Sequence, residues 1–166
     1  MFAISIDSKI KGKKGRTVLV VIILALVLFL GILCVSKVSH TPKKEVSIDG
    51  KGEYSTVFMS DDEVEQFAKQ FSYEIDKLYS LQEVYVPIEF NERYEQYNEL
   101  QKKQGFDLEP YKGEKCRLYI YQLKDYTIED KTAYMSVIVL GENVIGGHIS
   151  NQSEGGEVYT FFGETL

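Results

Sequence analysis

Four polar residues are best placed to do chemistry: Asn98, Gln101, Asp107 and Tyr111. The first two lie in a run whose other periodic positions are aromatic, and the last two follow Gly105 closely. Two amides, a carboxylate and a phenol supply hydrogen-bond donors and acceptors, so together they could form a ligand patch. The same residues also suit a structural role. Asp107 can hydrogen-bond the backbone of its own turn, and Asn98 or Gln101 can satisfy a buried loop.

A second candidate is the row Arg117, Tyr119, Tyr121, which alternation puts on one face of a strand. If the helices cover the other face, this row is exposed and aromatic and fits a partner-binding surface. If the first helix or the preceding tether covers it, the row is core.

Other chemistry lacks its residues. There is no Ser in a nucleophile-elbow pattern, no P-loop or dinucleotide glycine motif, no His-x-x-x-His and no Cys-x-x-Cys. His40 and His148 stand alone, and a general base needs a positioned partner. Asp125 and Asp130 lack the spacing of a calcium loop and read as solvated. Cys34 lies in an apolar run and Cys116 in a strand, so no disulfide within the domain is available, and Cys116 reads as a small buried hydrophobe. The expectation is a protein that is not an enzyme and has no metal and no cofactor.

The elements that must position these residues follow from periodicity. Phe90, Tyr94, Tyr97 and Leu100 recur at helical spacing, which predicts a helix over about Glu89–Gln104, stopped by a left-handed Gly105. An earlier helix starts at Ser60-Asp61-Asp62-Glu63, a capping box, with Val64, Phe67, Ala68 and Phe71 as its apolar face. It either continues to Ser80 or gives way to a strand near Phe71, and Glu83–Val86 reads as a strand ended by Pro87. Beyond Cys116 the pattern is β. Arg117–Leu123 alternates, Tyr126–Thr132 reads as a loop, and Tyr134–Leu140 resembles a central strand buried on both faces. Gly141 begins a tight hairpin into Val144–Ile149, where Gly146-Gly147 marks a bulge or a close backbone approach, and Val158–Phe162 reads as a last strand. The fold class is α+β, two helices packed on an antiparallel sheet.

The run Thr17–Ser36 carries no charge, and about 20 residues at 1.5 Å rise cover the roughly 30 Å of a bilayer's hydrocarbon. It reads as an uncleaved transmembrane signal-anchor. A cleaved signal would have a shorter apolar region and a better site than Cys34-Val35-Ser36, and a lipidated Cys34 would want a small residue where Leu33 stands. Five Lys and Arg against one acid precede the run, so the N-terminus is expected in the cytoplasm and the rest outside a cell membrane, single-pass. The expected plan is a basic tail (1–16), the span (17–36), a flexible tether (37–55) and an extracytoplasmic domain (56–166). Beyond the span, 14 Lys and Arg face 24 acids, a net charge of −10. Such acidity excludes nucleic acid as a natural partner; it gives solubility and leaves a cationic partner as the minority reading.

The stretch from Val86 to Ser150 resembles a bacterial family, domain of unknown function 4830. The resemblance rests on Tyr97, Asn98, Leu100, Gln101, Gln104, Gly105, Phe106, Asp107, Leu108, Tyr111 and Gly113, with Val144-Ile145-Gly146-Gly147 further on. It implies a short basic start, one span and an outer domain. Members tend to carry a Gly-aromatic pair where Ser72-Tyr73 stand, which implies a helix break near residue 70, and often carry Asp where this chain has His148. The family implies no activity. The functional expectation is a membrane-anchored binding or sensory module for an unknown protein or envelope ligand, with the bilayer itself as partner of residues 17–36. The alternatives are an enzyme acting on envelope material and a structural subunit of a membrane complex.

Overall fold

The computed structural model describes residues 44–58 and 61–165. The basic tail, the apolar run Thr17–Ser36, the start of the tether and the capping residue Ser60 lie outside these residues. No described helix is long and apolar enough to cross a membrane.

The remainder of the expected tether is ordered as a hairpin. Strands β1 (Glu45–Ile48) and β2 (Gly52–Ser55) pair antiparallel with Val46 opposite Tyr54, and both of these side chains are buried. Val46 and Ile48 at i and i+2 share one face of β1, and Gly50 turns the chain with φ 77°. Two apolar residues on so short a strand gave little periodic signal, and what orders them is the domain surface they bury against.

The chain then runs through α1 (Asp61–Lys69), β3 (Ile75–Tyr85), α2 (Glu92–Lys103), a 3-10 turn (Glu109–Tyr111), β4 (Lys115–Ile128), β5 (Lys131–Leu140) and β6 (Asn143–Ser150). Strands β3 to β6 form one antiparallel sheet in sequence order. The architecture is a small α+β domain with two helices, as its residue patterns indicate.

Both helices stop by the same device. After α2 the Gly105 N–H bonds the Lys102 carbonyl and the Phe106 N–H reaches back to Gln101, with Gly105 at φ 81°. After α1 the Ser72 N–H bonds Lys69 and the Tyr73 N–H bonds Ala68, with Ser72 at φ 66°. These are two Schellman motifs, and each needs a left-handed residue at its hinge. The break near residue 70 is therefore real, and Ser72 occupies a position where glycine would be unstrained. Helix α2 begins at Glu92, about three residues later than its apolar spacing suggests, because Asn91 caps it by accepting the Tyr94 N–H.

Helices α1 and α2 lie on opposite faces of the sheet. On the first face Tyr119, Tyr121 and Leu123 of β4 and Ala133, Met135, Val137 and Val139 of β5 pack with α1, the β1–β2 hairpin and Phe161. On the second, Cys116, Ile138 and Ile145 pack with Val86 and Leu108, and with Phe90, Tyr94 and Tyr97 at their margin. Strand β5 is accordingly buried on both faces.

Two β expectations change. Tyr126–Thr132 is no loop: β4 and β5 extend through it and turn tightly at Glu129-Asp130, both with positive φ. Val158–Phe162 is not a strand; only Tyr159 bridges, to Ile149. The hairpin at Gly141 forms (φ 62°), and the glycine pair is both things foreseen for it. The β5–β6 register shifts at Ile145, a side chain on Gly146 would press Gln101 Oε1 at 2.9 Å, and one on Gly147 would overlap Phe161.

Candidate functional site

Asn98 and Gln101 are buried, Asn98 paired with the exposed Asp107 and Gln101 paired instead with Gln104. The Asn98 amide donates to Asp107 Oδ1 (2.9 Å) and its oxygen accepts the Leu108 N–H (2.8 Å). Asp107 also accepts the Glu109 N–H (3.1 Å), which opens the 3-10 turn. Gln101 Oε1 accepts from the Gly147 N–H and from Gln104 Nε2, both at 2.8 Å. Gln104 Nε2 also donates to the Gly147 carbonyl (2.7 Å), while its oxygen accepts the Phe161 N–H (2.8 Å). The Tyr54 hydroxyl completes the set by donating to the Gln104 carbonyl.

Asn98, Gln101 and Gln104 are all buried. Gln101 and Gln104 form a clamp that ties α2 to β6, to the C-terminal segment and to the hairpin. Tyr111 stands apart, half-buried at the edge of the second-face cluster, where burial first and Asp107 next raise its pKa. Gln104, which periodicity puts only on the flank of the helix, is the hub.

The alternative row is not an exposed surface. Tyr119 is 7% exposed and Tyr121 3%, since Phe58 packs on Tyr119 at 5.0 Å between ring centres and α1 lies over the same face. Arg117 alone is exposed, donating to the Gly141 carbonyl at 2.7 Å. Of the two readings left open, cover by the first helix and the segment before it is the one the fold takes.

Two further groups have chemical potential. His148 Nδ1 lies 3.0 Å from the Tyr97 hydroxyl, and desolvation holds the imidazole pKa down to about 4 while it raises that of the phenol. Both stay neutral near pH 7, so the pair is a hydrogen bond between uncharged groups and carries no proton ready for acid catalysis. Cys116 is buried, and burial plus Glu114 push its thiol up to about 11, the opposite of a reactive thiolate. A cleft of about 280 Å³ between β2 and α1 is lined by Ser55, Val57, Glu63, Gln66, Phe67 and Gln70, and Gln70 grips the backbone of Ser55 through both its amide atoms. Among the described residues no cluster of His, Cys, Asp and Glu is arranged to hold a metal ion.

The most exposed apolar surface is elsewhere, along β3. Leu78, Tyr79, Leu81 and Tyr85, with Ile88 just beyond, are large apolar side chains left in solvent; Leu81 is 52% exposed and Tyr85 65%. They sit on an edge strand. The sheet's two edges contrast. At β6 the edge is closed: the Val144 N–H bonds Thr56, Gly147 is held through both N–H and carbonyl by Gln101 and Gln104, and Ile149 exchanges two bonds with Tyr159. At β3 no hydrogen bond from a described residue reaches the outer edge. The sequence marks this strand through Glu83–Val86 and Pro87, but whether a strand is central or at an edge is not written in its own residues.

A family model described as Domain of unknown function (DUF4830) matches residues 67–149. Neither a curated protein nor a solved structure matches the chain.

Proposed function

Starting from the chain's membership of the DUF4830 family, whose match spans half of its 166 residues, we propose that it is a membrane-anchored binding module acting outside the cell membrane. The observation that carries this is the apolar edge at β3, which no described residue covers, on the sheet whose opposite edge at β6 the same fold closes. A row of large apolar side chains on an open strand edge in water is a liability unless a partner uses it.

The positions that carry the family resemblance support a structural role: Asn98 holds Asp107, while Gln101 and Gln104 hold Gly147 beside the closely packed Gly146. Anchoring rests on the apolar run Thr17–Ser36 and orientation on the basic residues before it.

Two measurements test the reading. A cysteine introduced at exposed Gln96 should react with a membrane-impermeant maleimide on intact cells; labelling only after lysis would reverse the topology. A photo-crosslinking residue at Tyr85 should give a discrete adduct in membranes that one at Gln96 does not. Equal adducts at both positions would remove β3 as the working surface.

A further inference from the structure

We propose that the stretch Ser80–Tyr85 of β3 takes up an extended, basic segment of a partner protein as an added strand. The inference rests on the binding-module reading and specifies its mode and the chemistry of the partner.

The backbone argues for a strand. An edge strand presents alternating N–H and carbonyl groups, and the ligand that pairs with both is another extended chain. Only part of β3 is suited to this. Extra residues at Asp76 and Tyr79 bulge the strand against β4, and bulges spoil straight pairing along the lower half. From Ser80 to Tyr85 the register with β4 runs without a break, Ser80 opposite Ile120 through Tyr85 opposite Lys115. That is room for five or six residues.

The side chains specify the pattern. Leu81, Glu83 and Tyr85 share the first face, since they pair with Tyr119, Arg117 and Lys115; Ser80, Gln82 and Val84 share the second. A complementary strand carries an apolar residue, a cation and another apolar residue on the first face, opposite Leu81, Glu83 and Tyr85, and small polar or β-branched residues on the second. Glu83 holds Lys115 at 2.7 Å, with both side chains at least half exposed, so an incoming Lys or Arg can share it. Residues 44–165 hold 12 Lys and Arg against 24 acids, which favours approach of a basic segment.

The same features disfavour a second copy of this chain. Antiparallel self-pairing within Ser80–Tyr85 that keeps faces aligned about Glu83 sets Glu83 against Glu83, and about Gln82 sets Glu83 against Leu81. Each copy also brings the acidic excess with it.

The test uses the full-length chain in detergent and the fluorescent peptide Lys-Thr-Val-Thr-Lys-Thr-Val-Thr-Lys with blocked ends, whose central pattern is palindromic and so fits either strand direction. We expect saturable binding that slows amide exchange in Ser80–Tyr85 at saturation. Affinity should fall at least about tenfold when the lysines become glutamates, when alternate amides are N-methylated, or in the chain carrying Leu81→Asp. The N-methylated peptide keeps the result independent of how that variant folds. Binding that leaves those amides unprotected overturns strand addition while the binding-module reading stands. Equal binding of the glutamate peptide overturns the basic partner, and failure of every peptide to bind overturns the proposal. A doubled protein mass that depends on Leu81 assigns the edge to a second copy, which also overturns it.

Discussion

Replacing Gly105 with alanine tests the joint on which α2, the hairpin and the sheet all depend. Gly105 has φ 81°, where a side chain costs about 1–2 kcal/mol through its clash with the following carbonyl. Steric crowding adds a second cost. An alanine Cβ would overlap Val46 Cγ1 and come within 3.2 Å of Ile48 Cγ1, so β1 must move away. Val46 is 5% exposed, and losing part of a buried valine's stabilisation is worth roughly 1–2 kcal/mol. Together the change should destabilise the domain by about 2–4 kcal/mol. Urea unfolding of the full-length chain in detergent, followed through the tyrosine near-UV signal, reads this directly, since there are twelve Tyr and no Trp. Val46→Ala then separates the two causes. It removes the overlapping methyls, so it should cost at least about 1 kcal/mol less beside Gly105→Ala than alone. A loss below about 1 kcal/mol for Gly105→Ala, or strict additivity in the double variant, would refute the contact between this turn and the hairpin.

Other consequences follow from the same geometry. Ser72→Gly relieves a left-handed serine and should stabilise the domain by about 0.5–1 kcal/mol, seen as a raised Tm; a lowered one would mean that the hinge at α1 is not strained. Gln104→Ala leaves the Gly147 carbonyl and the Phe161 N–H without partners, a loss of roughly 2–5 kcal/mol, and hydrogen exchange at Phe161 should speed up before that of β5. His148 binds its proton at about pH 4 when folded and near 6.5 when unfolded, so the unfolded chain holds more protons between those values. Stability should therefore fall as pH drops from about 6.5 to about 4 and change no further below, by on the order of 1–3 kcal/mol after allowing for partial exposure. The difference between the parent chain and His148→Gln isolates this slope; parallel pH profiles for the two would contradict it.

Local patterns carried far in this chain because several signals are local in origin. The limits of α2 follow from Asn91 and Gly105, which act on the backbone within a turn of themselves. The burial of β5 follows from an apolar run long enough to need cover on both sides, and the turn at Gly141 from a single permissive residue. The strands through Tyr126–Thr132 carry little periodic signal because exposed residues dominate them; only Ile128 packs on the core and Tyr126 on Tyr73, both contacts with distant segments.

The amide clamp was half legible. Asn98, Gln101 and Asp107 stood out as polar residues on an otherwise aromatic helix, and a buried purpose was one of the two readings their chemistry allowed. Asn98 finds its partners 9 and 10 positions on, whereas Gly147, which decides the reading of Gln101, lies 46 positions away, and Phe161, held by the neighbouring Gln104, 57. What the amino-acid order determined by itself was the two helices and their stops, the strands of the buried sheet, the close approach at Gly146-Gly147 and the acidic balance, all of which depend on residues near in sequence or on composition. Only the assembled structure decided which face each helix covers, that Tyr119 and Tyr121 are core, and that β6 is closed while β3 is open. Those are properties of pairing between distant segments, and a strand's own residues do not say which neighbour, if any, will take up its outer edge.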